Sequence, residues 1–427
     1  MRILPCAGPP ANTASSTPDR LMPRSPTILQ IIPQLDTGGA ERTVIEVAEA
    51  IVRGGGRALV ASEGGRLSAE LAAVGGELVP FPARAKNPAK IIANARRLAA
   101  LIHARDVALV HARSRAPAWS AYIASRWTKR PFVTTYHGIY NQKSALKSWY
   151  NGVMARGWIV IANSQYTANI VRERHGTPDE RLRVIERAVD LDKFSPSSVS
   201  PDRIARLREG WGVPAGARVI LHAARLTRWK GQSVVIEAAG LLKDHPCFQN
   251  AVVVLAGDDQ GRTDYRRELQ ARIDALGLTS KVRLPGHCGD MPAAFASAWL
   301  AVAPPIEAEA FGRVSIEAQA MGCPVIVSDL GALPETLPPA VAGKTQAGWV
   351  VKAGDAEALA EVMARVLQFS GPEHAAMAEA ARSNAEGFAK EVLQKKTLQV
   401  YDYLLGSSME NAFARAFQAA GFADRTT

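Results

Sequence analysis

Thr27-Ile28-Leu29-Gln30-Ile31-Ile32-Pro33-Gln34-Leu35-Asp36-Thr37-Gly38-Gly39-Ala40-Glu41-Arg42 reads as a buried strand over Ile28 to Ile32, a glycine-containing loop, and the start of a helix from about Glu41 to Val52. A short apolar run bounded by Pro and Gly is a strand signal, and the longer amphipathic run behind it is a helix signal. The same alternation continues downstream. Apolar runs at 57–61, 77–81, 107–111, 132–136 and 158–162 are strand-like, with helical spacing over 88–105 and 114–127. A Ser/Pro-rich stretch, Phe194 to Pro201, then reads as a linker. A second series follows at 219–222, 252–256, 282–284, 300–303 and 325–328, and helical spacing over 357–369, 374–384 and 390–405 closes it. Strands alternating with helices imply βαβ units and a mainly parallel sheet. The expected class is α/β, with two Rossmann-like doubly wound domains facing a central cleft. Their expected bounds are 27–197 and 198–387, with a helix over about 388–405 packing back on the first domain. Residues 1–26, rich in Pro, Ser and Ala, are expected as a disordered leader, with Met22 as an alternative start. Residues 406–427 are a tail that either adds an amphipathic turn around Phe413 and Phe417 or stays loose.

The chain has 427 residues, 47% of them hydrophobic, which excludes wholesale disorder. Its net charge of +11 is uneven: the first 200 residues hold 27 basic against 15 acidic residues, and the remainder holds 24 against 25. A basic domain attracts nucleic acid, anionic lipid or phosphorylated substrates, and charge alone does not choose among them. The four cysteines (Cys6, Cys247, Cys288, Cys323) form no C-x-x-C pair, which argues against a disulfide framework or a zinc site. No apolar run approaches the ~18 residues of a membrane-spanning helix. A cytoplasmic protein is expected.

Ligands of open parallel sheets bind beyond the carboxyl ends of the strands, so residues that follow strands carry the chemistry. Gly38-Gly39 opens a helix, where paired glycines admit close approach and free N–H groups favour an anion; a plain tight turn explains them equally. Arg225-Leu226-Thr227-Arg228-Trp229-Lys230-Gly231 follows a strand, and Arg225 with Lys230 could reach one diphosphate or form a solvated basic loop. Glu309-Ala310-Phe311-Gly312-Arg313-Val314-Ser315-Ile316-Glu317 places Glu309 in a loop and Glu317 in the helix behind it. Carboxylates there suit vicinal sugar hydroxyls, although the spacing alone is common. His137 ends another strand and can donate a hydrogen bond, carry a proton or simply pack. No histidine spacing suits a metal, so none is expected.

In order and spacing these pieces resemble the retaining GT-B glycosyltransferases of family four, which assemble bacterial glycans. The resemblance runs from about Thr27 to Leu405. It rests on Gly38-Gly39-Ala40-Glu41, Thr135-Tyr136-His137-Gly138, Ala162-Asn163-Ser164, Val189-Asp190 before Phe194, Arg225 with Lys230-Gly231, Glu309-Ala310-Phe311-Gly312 with Glu317-Ala318, and Ala320-Met321-Gly322-Cys323-Pro324-Val325-Ile326. It implies that the second domain holds a nucleotide-diphospho-sugar, GDP- or UDP-linked, and that the first presents a glycan or lipid-linked acceptor. Arg225 and Lys230 would then bind the diphosphate, work that a metal does elsewhere, with no cofactor. Glu309 would contact donor-sugar hydroxyls beside the Phe311-Gly312 backbone, Glu317 the ribose, and His137 the sugar near the reacting carbon; Gly39 would line the phosphate and acceptor side. One departure stands out: Arg187-Ala188-Val189-Asp190 replaces the family's frequent Asn-Gly-Val-Asp.

The segment from Ile139 to Trp158 combines Tyr140, Lys143, Lys147, Trp149, Tyr150 and Arg156 with an apolar stripe through Leu146, Val153 and Met154. Two readings stay open: a helix lying on an anionic membrane, or a stripe packed on the sheet with solvated cations. The expected function is a glycosyltransferase of lipopolysaccharide or other cell-surface polysaccharide biosynthesis, at the cytosolic membrane face. The alternatives are a nucleotide-sugar epimerase of similar architecture, which needs no acceptor, and a non-catalytic sugar-nucleotide or lipid-binding protein. No nucleic-acid module appears, and nucleic acid is not an expected partner.

Overall fold

A computed structural model describes residues 25–36, 38–140, 144–340 and 345–419. Except at the sheet edges, where the runs at 77–81 and 282–284 stay partly exposed, the apolar runs become strands buried on both faces, as a parallel sheet covered by helices requires. The first sheet contains β1 (Thr27–Ile31), β2 (Arg57–Ser62), β3 (Glu77–Pro80), β4 (Val107–Ala112), β5 (Phe132–Tyr136), β6 (Ile159–Ala162) and β7 (Leu182–Val184). Its order is β3-β2-β1-β4-β5-β6-β7, parallel throughout. The second contains β8 (Arg218–Ala223), β9 (Ala251–Ala256), β10 (Val282–Gly286), β11 (Leu300–Ala303), β12 (Val325–Ser328) and β13 (Gly348–Val351). Its order is β10-β9-β8-β11-β12-β13, again parallel. Both sheets are doubly wound, so the fold class is the expected one.

Each order reverses direction once, between β1 and β4 in the first sheet and between β8 and β11 in the second. The loops behind such neighbouring strands diverge and leave room for a ligand. Gly38-Gly39 lies behind β1, Lys230 behind β8 and Glu309 behind β11.

Contacts divide the chain into two units: the chain up to Arg187 together with the chain from Glu391, and Ala188–Lys390. The boundary precedes the Ser/Pro-rich stretch, which is no free linker. Phe194 and Val199 are buried with Trp211, Phe295 and Val219 in the second unit's core, so apolar burial ties this stretch down despite its composition. The helix Lys390–Leu405 returns to the first unit from Glu391. There the Gln394 side chain donates to the Glu46 carbonyl at 2.8 Å. Behind it the helix Met409–Ala419 buries Phe413 and Phe417, so the tail is ordered to that point. Residues 1–24, including Cys6 and Met22, and 420–427 lie outside the described residues. No helix of the described residues is long and apolar enough to cross a membrane.

Candidate functional site

In the second unit, β8 leads into a short turn over Arg228–Lys230 and the helix Gln232–Leu242. Gly231 joins them at φ +80, and a Cβ there would stand 2.0 Å from the Pro304 carbonyl oxygen. Only glycine lets this loop lie against the one behind β11. The two loops are also tied by a hydrogen bond from the Ile306 N–H to the Trp229 carbonyl, 2.9 Å. This approach brings Lys230 to Glu309: Nζ donates to both carboxylate oxygens at 2.9 Å. The pair is mostly shielded, with side-chain exposures of 13% and 24%. Lys230 Nζ also stands 4.3 Å from the centre of the Trp229 ring, a cation–π distance.

Glu309 is held from behind by its backbone. It forms a parallel bridge with Gly331 and accepts from the Ala332 N–H at 2.9 Å. Gly331, at φ +68, has no room for a Cβ, which would meet Glu309 O at 2.3 Å. Arg225 is exposed in the loop behind β8. Its carbonyl accepts from Gln232 Nε2 at 2.8 Å, which ties the loop's backbone to the helix Gln232–Leu242. Gly312 caps the helix Arg313–Ala320, within which Glu317 pairs with Arg313 at 3.3 Å, both largely shielded. Phe311 is expected to offer its backbone to the donor, and its ring is enclosed. It is 3% exposed and packs edge-to-face on Phe388, so only its backbone remains available to a ligand.

In the first unit, His137 follows β5 and its Nδ1 lies 3.1 Å from Arg187 Nη2. Arg187 also donates to the Gly39 carbonyl and to Thr43 Oγ1. It therefore links the turn behind β1 with the end of β5. Burial drives the His137 pKa well below the ordinary histidine value, and the Arg187, Arg113 and His111 charges add to this. Both effects favour the neutral imidazole. Arg113, behind β4, is fully enclosed and donates to Thr135 Oγ1 at 3.0 Å and to the Thr43 carbonyl at 2.9 Å. His111 bridges Thr135 and the Tyr401 hydroxyl at 2.7 and 2.6 Å. Thr43, Arg113, Thr135, His137, Asn163 and Arg187 line one narrow recess. The sequence reading missed Arg113 and Asn163 as site residues and took Arg187 only as a departure in a loop. Their position directly behind strands was the available signal.

The segment from Ile139 is not one amphipathic helix. Its helix Ala145–Asn151 stops at Gly152, and the 3-10 turn Gly152–Ala155 buries Val153 and Met154 completely. Tyr140 turns inward, its ring tilted by 45° against Tyr136 with centres 4.4 Å apart and covered by Arg115 at 4.2 Å. It packs within the unit and does not share a surface with Trp149. Lys147 and Trp149 instead border an apolar groove of about 620 Å³, lined by Ile91, Ile92, Trp119 and Ile123 with Lys86 at its edge. Trp149 is half exposed and stacks on Trp119 at 4.5 Å. Lys143 lies outside the described residues, as does the Leu146 side chain. Among the described residues no cluster of His, Cys, Asp and Glu is placed to hold a metal ion.

Comparison with known proteins adds relatives to this geometry. Residues 204–384 match the family described as glycosyl transferases group 1, and residues 37–193 match glycosyltransferase family 4. A crystal structure of a glycosyltransferase from Rickettsia africae ESF-5 is 33% identical, covers 90% of this chain and all of its own, and superposes with a TM-score of 0.81. Anabaena HepE, crystallised in complex with UDP-glucose, is 25% identical, with coverage of 88% and 100% and a TM-score of 0.74. The D-inositol 3-phosphate glycosyltransferase of Salinispora arenicola is 32% identical over 258 residues, covering 58% of this chain. The match spans 55% of that relative, so the chain covers about half the length of such curated relatives.

Proposed function

Because this chain belongs to the family 4 glycosyltransferases, we propose that it moves a sugar from a nucleotide-diphospho-sugar to a glycan or lipid-linked acceptor. Transfer retains the anomeric configuration and needs neither metal nor cofactor. The observation that carries this reading is the Lys230–Glu309 pair, held between the loops behind β8 and β11 where the second sheet's order reverses. The bound UDP-glucose of HepE supports a nucleotide-diphospho-sugar donor, GDP- or UDP-linked.

Arg225 and Lys230 act on the diphosphate. Arg225 supplies a planar fork and Lys230 a point charge, and together they offset the negative charge that develops as the sugar departs. Each oxygen of an ionised carboxylate has a second lone pair, so Glu309 can hold Lys230 and still accept from donor-sugar hydroxyls. Glu317 takes the ribose hydroxyls, and the Phe311-Gly312 backbone lies beside the sugar. In the first unit, His137 takes the role of contacting the sugar near the reacting carbon, and the Gly38-Gly39 turn that of lining the phosphate and acceptor side. The groove bordered by Lys86, Lys147 and Trp149 suits a lipid-linked acceptor with an anionic head, such as a lipopolysaccharide or polysaccharide precursor, at the cytoplasmic face of a membrane. No role follows for Tyr140 on that surface.

Lys230→Ala and Glu309→Ala test the site. Each should lower transfer from a nucleotide-sugar by roughly a hundredfold or more, the scale of losing one preorganised electrostatic contact, with an unchanged circular dichroism spectrum. Thermal shifts with UDP- and GDP-sugars identify the donor, since at equal free concentration L the ligand that binds more tightly stabilises the fold more, by RT ln(1 + L/Kd). Near-normal transfer by both variants would overturn the assignment. Turnover of the donor without any acceptor would favour an epimerase instead.

A further inference from the structure

His137 and Arg187 form a contact whose chemistry has only one consistent proton arrangement. A guanidinium has donors and no acceptor, so at 3.1 Å from Arg187 Nη2 the His137 Nδ1 must accept. A neutral imidazole that accepts at Nδ1 carries its proton at Nε2. Turning the ring over would place Cδ2–H against the guanidinium, which is repulsive. Arg187 itself has little freedom to yield. It is 8% exposed, and its Nη1 is bonded to the Gly39 carbonyl and, at 3.1 Å, to Thr43 Oγ1. These two partners sit in the first turns of the helix Gly39–Arg53, a rigid support behind β1.

The other ring nitrogen has a different situation. His137 Nε2 is buried and makes no hydrogen bond among the described residues. A buried donor without a partner is left with its full desolvation cost, so its retention calls for a ligand oxygen or an ordered water. Both polar atoms of Asn163, which lines the same recess, are likewise buried without a hydrogen bond.

We propose that Arg187 is a positioning residue that fixes His137 as its Nε2–H tautomer, so that His137 presents a hydrogen-bond donor, and not a base, to an oxygen of the sugar substrate. The inference rests on the reading of His137 as a site residue given above, but the tautomer itself does not depend on activity. The charged and titratable groups facing His137 are Arg187 beyond β7, Arg113 and His111 from β4 and its end, and Glu186 on the recess wall. The cations among them and burial together oppose the imidazolium form.

Two-bond ¹H–¹⁵N correlation spectra of the full chain labelled at histidine report the tautomer directly, and His137→Asn identifies the resonance. The wild-type signal should show the neutral Nε2–H pattern between pH 6 and 8. Arg187→Ala should populate the Nδ1–H form and move the titration midpoint upward, because a repelling cation is gone. Arg187→Lys, again donor-only, should restore the wild-type pattern. In transfer assays Arg187→Ala should lower kcat by roughly tenfold to a hundredfold, as for other orienting partners of a reacting group, with less effect on the donor KM. A wild-type Nδ1–H pattern, or one unchanged in Arg187→Ala, overturns the inference. Should Arg187→Ala fail to fold, the wild-type and Arg187→Lys spectra still decide it. Full transfer by His137→Asn would overturn instead the site reading, leaving the tautomer assignment intact.

Discussion

Gly231 shows how much one residue decides. Without it, Lys230 could not be carried against Glu309, because any side chain at φ +80 would drive into the Pro304 carbonyl 2.0 Å away. Gly231→Ala combines left-handed strain with a backbone clash, and we expect a loss of about 2–4 kcal/mol. Urea unfolding should show this as a lower midpoint with an unchanged slope. A midpoint equal to wild type would mean that the two loops are not held as described. The cost should exceed that of Lys230→Ala, which removes only a partly shielded charge. Gly331 performs a similar service for the Glu309 backbone, and the linear sequence pairs neither glycine with the side chain it supports.

At the scale of the element, the helix Ala145–Asn151 is shorter than its composition suggests. Gly152 ends it, and Asn151 is buried, where its Oδ1 accepts from Arg115 at 2.9 Å. The apolar residues that follow belong to the core, so any membrane contact must come from Lys147, Trp149 and the groove beside them. The full chain should therefore sediment with vesicles containing phosphatidylglycerol at low salt and be released at high salt. Lys147→Ala should weaken this by about fivefold, the value of one cation near an anionic surface at ~1 kcal/mol. Binding that is absent, or that ignores salt, would remove the membrane from the reading. The helix Met409–Ala419 makes the opposite point. The periodicity around Phe413 and Phe417 was visible, but burial against the helix Gly39–Arg53 decides that it is ordered.

For the whole molecule, buried histidines make stability depend on pH. His111 and His222 are both enclosed, and burial is the largest cause lowering each pKa, that of His222 to about 4. Unfolded histidine titrates near ~6.5. Between those values the unfolded chain binds the proton that the folded chain refuses, so stability is complete above about 6.5 and declines as pH falls toward 4. For His222 the limiting slope is ~1.4 kcal/mol per pH unit. The urea midpoint should be lower at pH 5.5 than at pH 7.5, and less so in His222→Asn. A flat profile would show that these imidazoles reach water or a carboxylate in the folded state.

The amino-acid sequence alone was enough for the alternation of strand and helix, the parallel doubly wound class and the loops behind strands where the candidate residues lie. Apolar periodicity is local, and both strand and helix must bury it. Edge strands such as β7 and β13 escaped because each is only three or four residues long, too short for a periodic pattern to register. The helix Gln165–His175 escaped because its buried face is short, Thr167, Ala168, Ile170 and Val171, and is interrupted by polar and charged residues. Motif order also placed Lys230, Glu309 and His137 in the candidate site. Which polar groups meet is a matter of tertiary structure: Lys230 with the Glu309 carboxylate, 79 residues apart, and Arg187 with the Gly39 carbonyl, 148 apart. Such pairs depend on which strands become neighbours and on whether two backbones can approach. A composition that reads as a linker can likewise bury Phe194 and Val199 once a core is near. The positive charge of the first 200 residues divides in the same way. Arg113 and Arg187 are enclosed in the first unit, while Lys147 stays exposed at the apolar groove.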